Sequence, residues 1–198
     1  IENGAKVVMI QEGTKIKKED ITDDVTVIMA PDTRIATAKM ACNFYKNPST
    51  KFKLIGVTGT KGKTTTTFMI KAILEAKGEK VGLVGTVANY IGSKNLGESS
   101  RTTPDSLELQ KLFSQMVSEK VDSVIMEVSS QALKLHRVDG CDFDIGVFTN
   151  FSEDHISAHE HPDMQDYFNS KLKLMEMSKK SFINADDFKV SKIKKLLP

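Results

Sequence analysis

Residues 56–67, GVTGTKGKTTTT, combine the residue types that bind a polyanion. They follow an apolar run, residues 54–57, and precede a segment with helical periodicity, so the sequence predicts a strand, a tight turn and a helix. Glycines in the turn allow several backbone N–H groups to point inward, and a helix N-terminus adds partial positive charge. Lys63 supplies a full charge for a β- or γ-phosphate, and the Thr64 hydroxyl can bind Mg²⁺. The stretch therefore predicts a P-loop.

The glycine spacing of this loop is shorter than in the most common P-loop. The pattern G-x-x-x-x-G-K-T needs a glycine at position 57, which is Val57, whereas Gly59 lies only three residues before Gly62. The alternative interpretation is a glycine-rich turn that only begins a helix. The coincidence of an apolar strand, the G-K-T triplet and a helix favours the phosphate site.

The segment RTTPDSLELQ, residues 101–110, places two hydroxyl groups before a predicted helix. Thr103 as N-cap, Pro104 at the first helical position and Asp105 in the first turn predict a helix that runs to about residue 119. Thr102 and Thr103 would then offer a second docking point, for an anion or an amide, near a helix N-terminus. The alternative is a capping sequence that binds no ligand.

The segment MEVSSQALKLHRV, residues 126–138, begins at the end of an apolar strand. A carboxylate at the carboxyl end of a strand, in the same sheet as a P-loop, can bind Mg²⁺, and Glu127 occupies that position. Ser129 and Arg137 could bind a carboxylate or a pyrophosphate, for which the arginine fork is well suited. The alternative is the start of a helix with solvated charges.

The segment FTNFSEDHISAHEHPDM, residues 148–164, also follows a predicted buried strand, and Asn150, Asp154 and His155 cluster after it. Histidines at 155, 159 and 161 raise the question of zinc, but the segment has no cysteine and its spacings differ from those of structural zinc sites. We therefore expect no zinc, and His159 and His161 are interpreted as loop residues.

A predicted helix over residues 164–177 carries a lysine on its apolar face. A buried ammonium group is costly unless it is paired or its pKa falls, so Lys171 is either a functional amine or a surface lysine whose stem alone is buried. The residues at helical spacing on this face are Met164, Tyr167, Phe168, Lys171, Leu172 and Met175.

Strands and helices alternate along most of the chain, which favours an α/β fold with a mainly parallel sheet and helices on both faces. A break at residues 48–50 separates a first unit, residues 1–48, from a second unit, residues 49–198. Beyond the helices already described, helices are predicted at 33–44 and 63–77, a loop at 91–101, and strands at 6–10, 25–29, 52–57, 81–84, 123–128, 145–149 and 182–183.

The composition is that of an ordinary globular protein. The 198 residues carry a net charge of +2, which gives no reason to expect a nucleic-acid or membrane partner. Cys42 and Cys141 lie too far apart in sequence for a metal motif, and a cytoplasmic location is the better expectation. A monomer is the default expectation for the oligomeric state.

The P-loop and the later motifs together resemble the Mur ligases, ATP-dependent amide-forming enzymes of peptidoglycan synthesis. GVTGTKGKTT is similar to their nucleotide loop, whose shortened glycine spacing is shared by folylpolyglutamate synthases. The T-T-P triplet and the segments EVSSQALKLHR and TNFSEDH resemble motifs of the tripeptide-synthetase branch, and YFNSK fits the family pattern Y-x-x-x-K. Two positions depart from the pattern, since Gln131 stands where histidine is usual and Leu135 where a polar residue is frequent.

The resemblance implies a fold and a set of site residues. The fold would be the central ATP-binding domain of a Mur ligase, in residues 49–198, preceded by the end of a small α/β N-terminal domain that binds a UDP-sugar. Lys63, His155 and Lys171 would be catalytic, and Lys171 would react with CO₂ to give N6-carboxylysine, a carbamate. ATP would be bound by Gly59, Thr60, Lys61, Gly62, Lys63, Thr64 and Thr65, Mg²⁺ by Thr64, Glu127, His155 and Lys171, and the substrate by Thr102, Thr103, Ser129 and Arg137.

The implied reaction joins an amino acid, L-lysine or meso-diaminopimelate, to UDP-N-acetylmuramoyl-L-alanyl-D-glutamate through an acyl phosphate formed from ATP. The resemblance also implies a third, C-terminal domain outside these residues, so the 198 residues alone are expected to be inactive or poorly folded. Two alternatives stay open from the sequence. One is another Mur-like ligase such as a folylpolyglutamate synthase, and the other is an ATP-binding fragment without catalytic activity.

Overall fold

A computed structural model describes residues 4–17, 21, 24–97, 99, 101–154, 156–157 and 160–187. The elements in chain order are β1 Val7–Gln11, β2 Thr26–Ala30, α1 Thr33–Phe44, a 3₁₀ turn Pro48–Lys51, β3 Lys53–Thr58, α2 Lys63–Ala76, β4 Val81–Val84, β5 Tyr90–Ile91, β6 Lys94–Asn95, α3 Ser106–Ser118, β7 Ser123–Glu127, α4 Ser130–Lys134, β8 Phe143–Phe148, α5 Met164–Met177 and β9 Ser178–Ile183.

The main sheet has the strand order β6-β5-β4-β7-β3-β8-β9. Five neighbouring strands in this order, β4, β7, β3, β8 and β9, are parallel. The short strands β5 and β6 add an antiparallel edge beside β4. The predicted α/β fold with a mainly parallel sheet is therefore confirmed. After β3 the chain forms β4 and β7 on one side and then crosses to form β8 and β9 on the other. Ligands of open α/β sheets bind at such a switch point, at the carboxyl ends of the strands.

Apolar side chains are buried on both faces of this sheet. On one face, Ile55 and Val57 of β3 pack with Ile125 of β7 against side chains of α2. On the other face, a larger cluster joins the sheet to α3 and α5, and it includes Phe113 and Leu174. Helices on both faces leave the carboxyl edge of β3, β7 and β8 as the place where loops can form a site.

A second, two-stranded parallel sheet pairs β1 with β2, and α1 follows it. The helix α1 contacts α3 of the main unit, and the Cys42 thiol of α1 lies 3.6 Å from the Asp139 carbonyl oxygen. The division into a unit of residues 1–48 and a unit of residues 49–198 stays a prediction.

The predicted bounds of α1, β4 and α5 agree with the structure, whereas the predicted start of α3 is wrong. Asp105, not Thr103, is the N-cap of α3. Thr103 is fully buried instead, and its hydroxyl donates to Glu127 O at the end of β7 and accepts from Ser129 N. The hairpin of β5 and β6 also replaces part of the predicted loop 91–101. Within the described ranges, none of the helices combines the length and apolar character needed to cross a bilayer.

Candidate functional site

The loop between β3 and α2 has the backbone conformation of an anion cradle. Gly59 and Gly62 have φ angles of 144° and 82°, which side chains strongly disfavour. A Cβ atom on Gly59 would overlap the Thr149 hydroxyl, so only glycine fits there. Gly62 is the N-cap of α2 and provides no side-chain cap, so the first-turn amides of the helix are left for a ligand.

The segment after β8 fixes the outer half of this loop. The Asn150 carbonyl oxygen accepts from Thr60 N at 2.9 Å, and the Asn150 side chain accepts from Lys61 N at 2.9 Å and donates to Lys61 O at 3.0 Å. Thr149 Oγ1 also donates to Lys61 O at 2.8 Å. The sequence placed Asn150 near the site but gave it no role. The structure shows that Asn150 positions the loop.

Lys63, at the first position of α2, folds back over the loop. Its Nζ donates to Gly59 O at 3.0 Å and to Thr60 O at 3.2 Å. Burial lowers the pKa of Lys63, and the nearby Glu127 carboxylate opposes that effect. The lysine therefore lies inside the curl of the loop, where a bound phosphate would be.

Glu127 lies at the carboxyl end of β7, opposite the start of α2, and is 1% exposed. Its Oε2 accepts from Thr64 Oγ1 at 3.0 Å and from Thr86 Oγ1 at 3.1 Å, while Oε1 accepts from Thr86 N at 2.9 Å. Among the described residues no lysine or arginine forms an ion pair with Glu127 within 4.0 Å. Thr86, which the sequence analysis missed, thus holds a buried carboxylate beside the Thr64 hydroxyl.

Lys171 of α5 contacts the same loop. The helix α5 packs on one face of the sheet and α2 on the other. Lys171 is 1% exposed, its Nζ donates to Gly59 O at 2.9 Å, and it lies 4.5 Å from the centre of the Tyr167 ring. Burial, together with the charge of Lys63, lowers the pKa of Lys171 to about 7. The alternative of a surface ammonium on a buried stem does not apply, because the whole side chain is enclosed.

Thr102, Thr103 and Arg137 lie together on the next wall. Thr103 Oγ1 donates to Glu127 O at 2.9 Å, and Thr102 Oγ1 lies 3.1 Å from Thr86 Oγ1. The Arg137 guanidinium donates to Thr103 O at 3.3 Å, and its Nε lies 3.0 Å from an Asp105 carboxylate oxygen. The Thr103 hydroxyl is thus hydrogen-bonded within the protein, while Thr102, Thr103 and Arg137 all line the same cavity.

Ser130 and His161, which the sequence analysis did not select, belong to the site. Ser129 is the N-cap of α4, and its Oγ accepts from Ala132 N at 3.1 Å. The next residue, Ser130, forms a hydrogen bond of 2.9 Å between its Oγ and His161 Nε2. His161 lies outside the helices and strands, as predicted, but it is fully buried. No local pattern marks this role, since the contact joins residues 31 positions apart.

These walls enclose one cavity of about 270 Å³. The predicted catalytic residues Lys63 and Lys171 both line it, as do all four predicted substrate residues, whereas the predicted metal ligands Thr64 and Glu127 are not among its lining residues. His155 falls outside the described residues. The lining residues are Lys63, Arg101, Thr102, Thr103, Ser129, Ser130, Gln131, Arg137, Glu160, His161 and Lys171.

The residues at this site fit a nucleotide phosphate and a hard metal ion. Uncapped amides at the start of α2, the Lys63 ammonium and two glycines of positive φ suit a phosphate chain. The Thr64 hydroxyl and the Glu127 carboxylate, 3.0 Å apart, are oxygen donors of the kind that Mg²⁺ prefers. Within the described part of the chain, no group of three His, Cys, Asp or Glu side chains forms a metal site by itself.

The sheet order, the loop at the switch point and the helix N-terminus define a P-loop α/β domain. The Mur ligase middle domain matches residues 57–198, and the chain belongs to the Mur ligase family. This confirms the resemblance drawn from the sequence motifs.

Two relatives lie at 53% identity, and both bear the name UDP-N-acetylmuramoyl-L-alanyl-D-glutamate–2,6-diaminopimelate ligase. The match to the protein of Clostridium botulinum covers 94% of this chain and 38% of that protein. The match to the protein of Caldanaerobacter subterraneus subsp. tengcongensis covers 94% and 37%. The chain thus spans somewhat more than a third of the length of these relatives.

The structural comparisons agree with the family assignment. A solved diaminopimelate ligase of the same name superposes with a TM-score of 0.73 at 26% identity, over 86% of this chain and 34% of that chain. A Mycobacterium tuberculosis folylpolyglutamate synthase, solved with ADP and AMPPCP, gives a TM-score of 0.64 at 16% identity, over 82% of this chain and 44% of that chain. The second likeness shows a shared fold alone.

Proposed function

We propose that this chain is the ATP-binding part of a ligase that joins diaminopimelate to UDP-N-acetylmuramoyl-L-alanyl-D-glutamate in peptidoglycan synthesis. The observation that carries the proposal is the shared cavity, in which Lys63 and Lys171 meet at the Gly59 carbonyl oxygen. The named relatives at 53% identity favour diaminopimelate over L-lysine as the amino acid. We expect the enzyme to act in the cytoplasm, where ATP and UDP-linked precursors are found, and to act as a monomer.

Positioning and charge neutralisation are the contributions of the protein in this proposal. The loop amides and Lys63 hold the β- and γ-phosphates of ATP, so that the γ-phosphate points into the cavity. Thr102 and Arg137 bind the anionic substrate on the opposite wall, with Ser129 beside them. The substrate carboxylate attacks the γ-phosphate, and the amine of the amino acid then displaces phosphate from the acyl phosphate.

The residues around Thr64 and Glu127 would hold Mg²⁺, which would neutralise phosphate charge in this reaction. His155 and Lys171 are the further metal ligands that the family resemblance implies. Reaction with CO₂ requires a neutral amine, and the Lys171 pKa of about 7 makes the neutral form far more abundant near neutral pH than in an exposed lysine. The resulting carbamate would replace a cation by an anion beside the phosphate loop.

The test is a ligase assay on the complete reading frame that encodes these residues. We expect ADP and phosphate to form only when UDP-N-acetylmuramoyl-L-alanyl-D-glutamate and diaminopimelate are both present, with a slower rate for L-lysine. Turnover of a folate substrate with glutamate, and none with the UDP-linked dipeptide, would refute the proposal in favour of a folylpolyglutamate synthase.

A further inference from the structure

A chain of three hydrogen-bonded side chains ends at the cavity wall. Asp166 Oδ2 lies 2.6 Å from His161 Nδ1, and His161 Nε2 lies 2.9 Å from Ser130 Oγ. His161 is fully buried and Ser130 is 5% exposed, yet both line the cavity that holds Lys63 and Lys171. Asp166 is fixed in turn by Lys134, whose Nζ donates to the same carboxylate at 2.8 Å. The order of groups is that of a serine–histidine–carboxylate triad.

The hydrogen bonds determine which way the Ser130 hydroxyl points. Bonds from Lys134 and His161 lower the pKa of Asp166, so the carboxylate is ionised and only accepts. His161 must therefore donate from Nδ1, and in the neutral ring Nε2 is then an acceptor. When the His161 ring is neutral, the Ser130 proton satisfies Nε2, which leaves the Ser130 oxygen lone pairs for a group in the cavity.

Most charged side chains in the rest of the cavity suit anions, and Glu160 is the carboxylate among the described lining residues. Three of the cavity side chains, Lys63, Arg101 and Arg137, are donors that suit phosphate and carboxylate groups, as is Lys171 before it reacts with CO₂. An amine that attacks an acyl phosphate must instead give up protons, and a hydroxyl backed by a neutral imidazole accepts one. The titratable and charged groups around His161 are Asp166 and Tyr167 of α5, Lys134 of α4, and the neighbouring Glu160.

We propose that Ser130 accepts a proton from the attacking amine and that His161, oriented by Asp166, takes the Ser130 proton in the same step. The proposal rests on the ligase function proposed above. The C–N bond forms as the bond from the acyl carbon to the phosphate oxygen breaks. Of the two protons that an ammonium group loses on becoming an amide, one passes through Ser130 to His161 Nε2 and then to water, and the other leaves with the phosphate. His161 and Asp166 are positioning residues, since they act through Ser130.

The test compares two nucleophiles on the complete protein. Diaminopimelate enters as an ammonium ion and needs a proton acceptor, whereas hydroxylamine is largely neutral at neutral pH and traps the acyl phosphate as a hydroxamate. In Ser130→Ala and His161→Asn, we expect amide formation to fall about 100-fold or more, the usual range for loss of general-base help, and hydroxamate formation to change by less than about threefold. Hydroxamate formation also shows that each variant is folded and still makes the acyl phosphate.

Two variants serve as matched controls. Ser130→Thr keeps a hydroxyl at the start of α4 and should retain amide formation within about tenfold of the unmodified protein. His136→Asn removes a histidine with a similar carboxylate contact, to Asp139 at 2.8 Å, that does not line the cavity, and asparagine tolerates its φ of 59°. His136→Asn should therefore leave the ratio of amide to hydroxamate unchanged.

The outcomes separate this proposal from the function on which it rests. If Ser130→Ala and His161→Asn lose amide and hydroxamate formation in equal measure, or lose neither, the proton relay is wrong while the ligase function stands. If the unmodified protein forms neither amide nor hydroxamate with the UDP-linked dipeptide and ATP, the proposed function itself is wrong.

Discussion

The side-chain amines of Lys63 and Lys171 donate to the same carbonyl oxygen, that of Gly59, at 3.0 and 2.9 Å. One lysine begins α2 and the other lies on α5, so the two helices bring them to the phosphate loop from opposite faces of the sheet. Two cations in contact with one acceptor repel each other, and burial adds to that cost. The more enclosed lysine, Lys171, has its pKa lowered to about 7 for these two reasons.

The lowered pKa of Lys171 makes stability depend on pH. Below about pH 7 the lysine is charged in both the folded and the unfolded states. The folded state then carries the full cost of burying the charge, and the free energy of unfolding is lowest. Between that pH and the ordinary value of 10.5, the unfolded chain binds a proton that the folded chain does not, and the free energy of unfolding therefore rises with pH. Lys171→Met should remove this rise, which is at most about 1.4 kcal/mol per pH unit.

Chemical denaturation of both proteins in CO₂-free buffers, from about pH 6 to about pH 9, measures this effect. The stability of the unmodified protein relative to Lys171→Met should increase above about pH 7. A difference that stays constant across this range would show that Lys171 keeps its proton when folded.

Lys63→Ala should abolish most of the ligase activity of the complete protein. The substitution removes the amine that lies inside the phosphate loop. Removal of one such electrostatic group typically lowers kcat by about 100-fold or more. ADP release in a coupled assay measures the loss. Lys77→Ala, at the exposed end of α2, is the control and should keep normal turnover. Equal activity of the two variants would argue against the P-loop assignment.

Glu127→Gln should weaken the response to Mg²⁺ while preserving the shape of the site. The amide would present a donor in place of an acceptor to the Thr64 and Thr86 hydroxyls, and it would remove the negative charge that attracts the metal. We expect the Mg²⁺ concentration for half-maximal activity to rise about tenfold or more. Glu119→Gln, in an exposed pair with Lys80, is the surface control, and an unchanged Mg²⁺ response in Glu127→Gln would exclude a metal role.

Arg137→Lys should raise the KM for the UDP-linked dipeptide and leave the KM for ATP nearly unchanged. Arg137 lies across the cavity from the phosphate loop, where its fork contacts Asp105 and the Thr103 carbonyl oxygen, and lysine cannot reproduce a fork. Initial rates at varied concentrations of each substrate measure the two constants. A rise confined to the KM for ATP would place Arg137 on the nucleotide side instead.

Much of this site was predictable because its parts have local signatures. The P-loop combines an apolar strand, two glycines and a G-K-T triplet in consecutive positions, and Glu127 ends a continuous apolar strand. The buried position of Lys171 follows from the spacing of apolar residues on a single helix, α5, whose bounds the sequence also predicted. These features depend on neighbours within one or two helical turns.

The parts that sequence reasoning missed depend on distant contacts. Thr103 has the type and spacing of an N-cap, but its hydroxyl is taken by the backbone after β7, so tertiary packing overrides the capping preference. Ser130 lies on α4 and His161 three residues before α5, so their contact depends on the packing of these two helices. Thr86 follows β4 and Glu127 ends the neighbouring strand β7, so the two residues meet through strand pairing. No local sequence pattern predicts that contact.

The central claim is that one bound nucleotide lies within reach of both lysines. The most direct measurement is a crystal structure of the complete protein with a non-hydrolysable ATP analogue and Mg²⁺. We expect the triphosphate to lie against the amides of residues 59–65, with Lys63 turned from Gly59 O to the phosphates and Lys171 facing the γ-phosphate across the cavity. A triphosphate bound away from this loop, or a γ-phosphate separated from Lys171 by the sheet, would contradict the central claim.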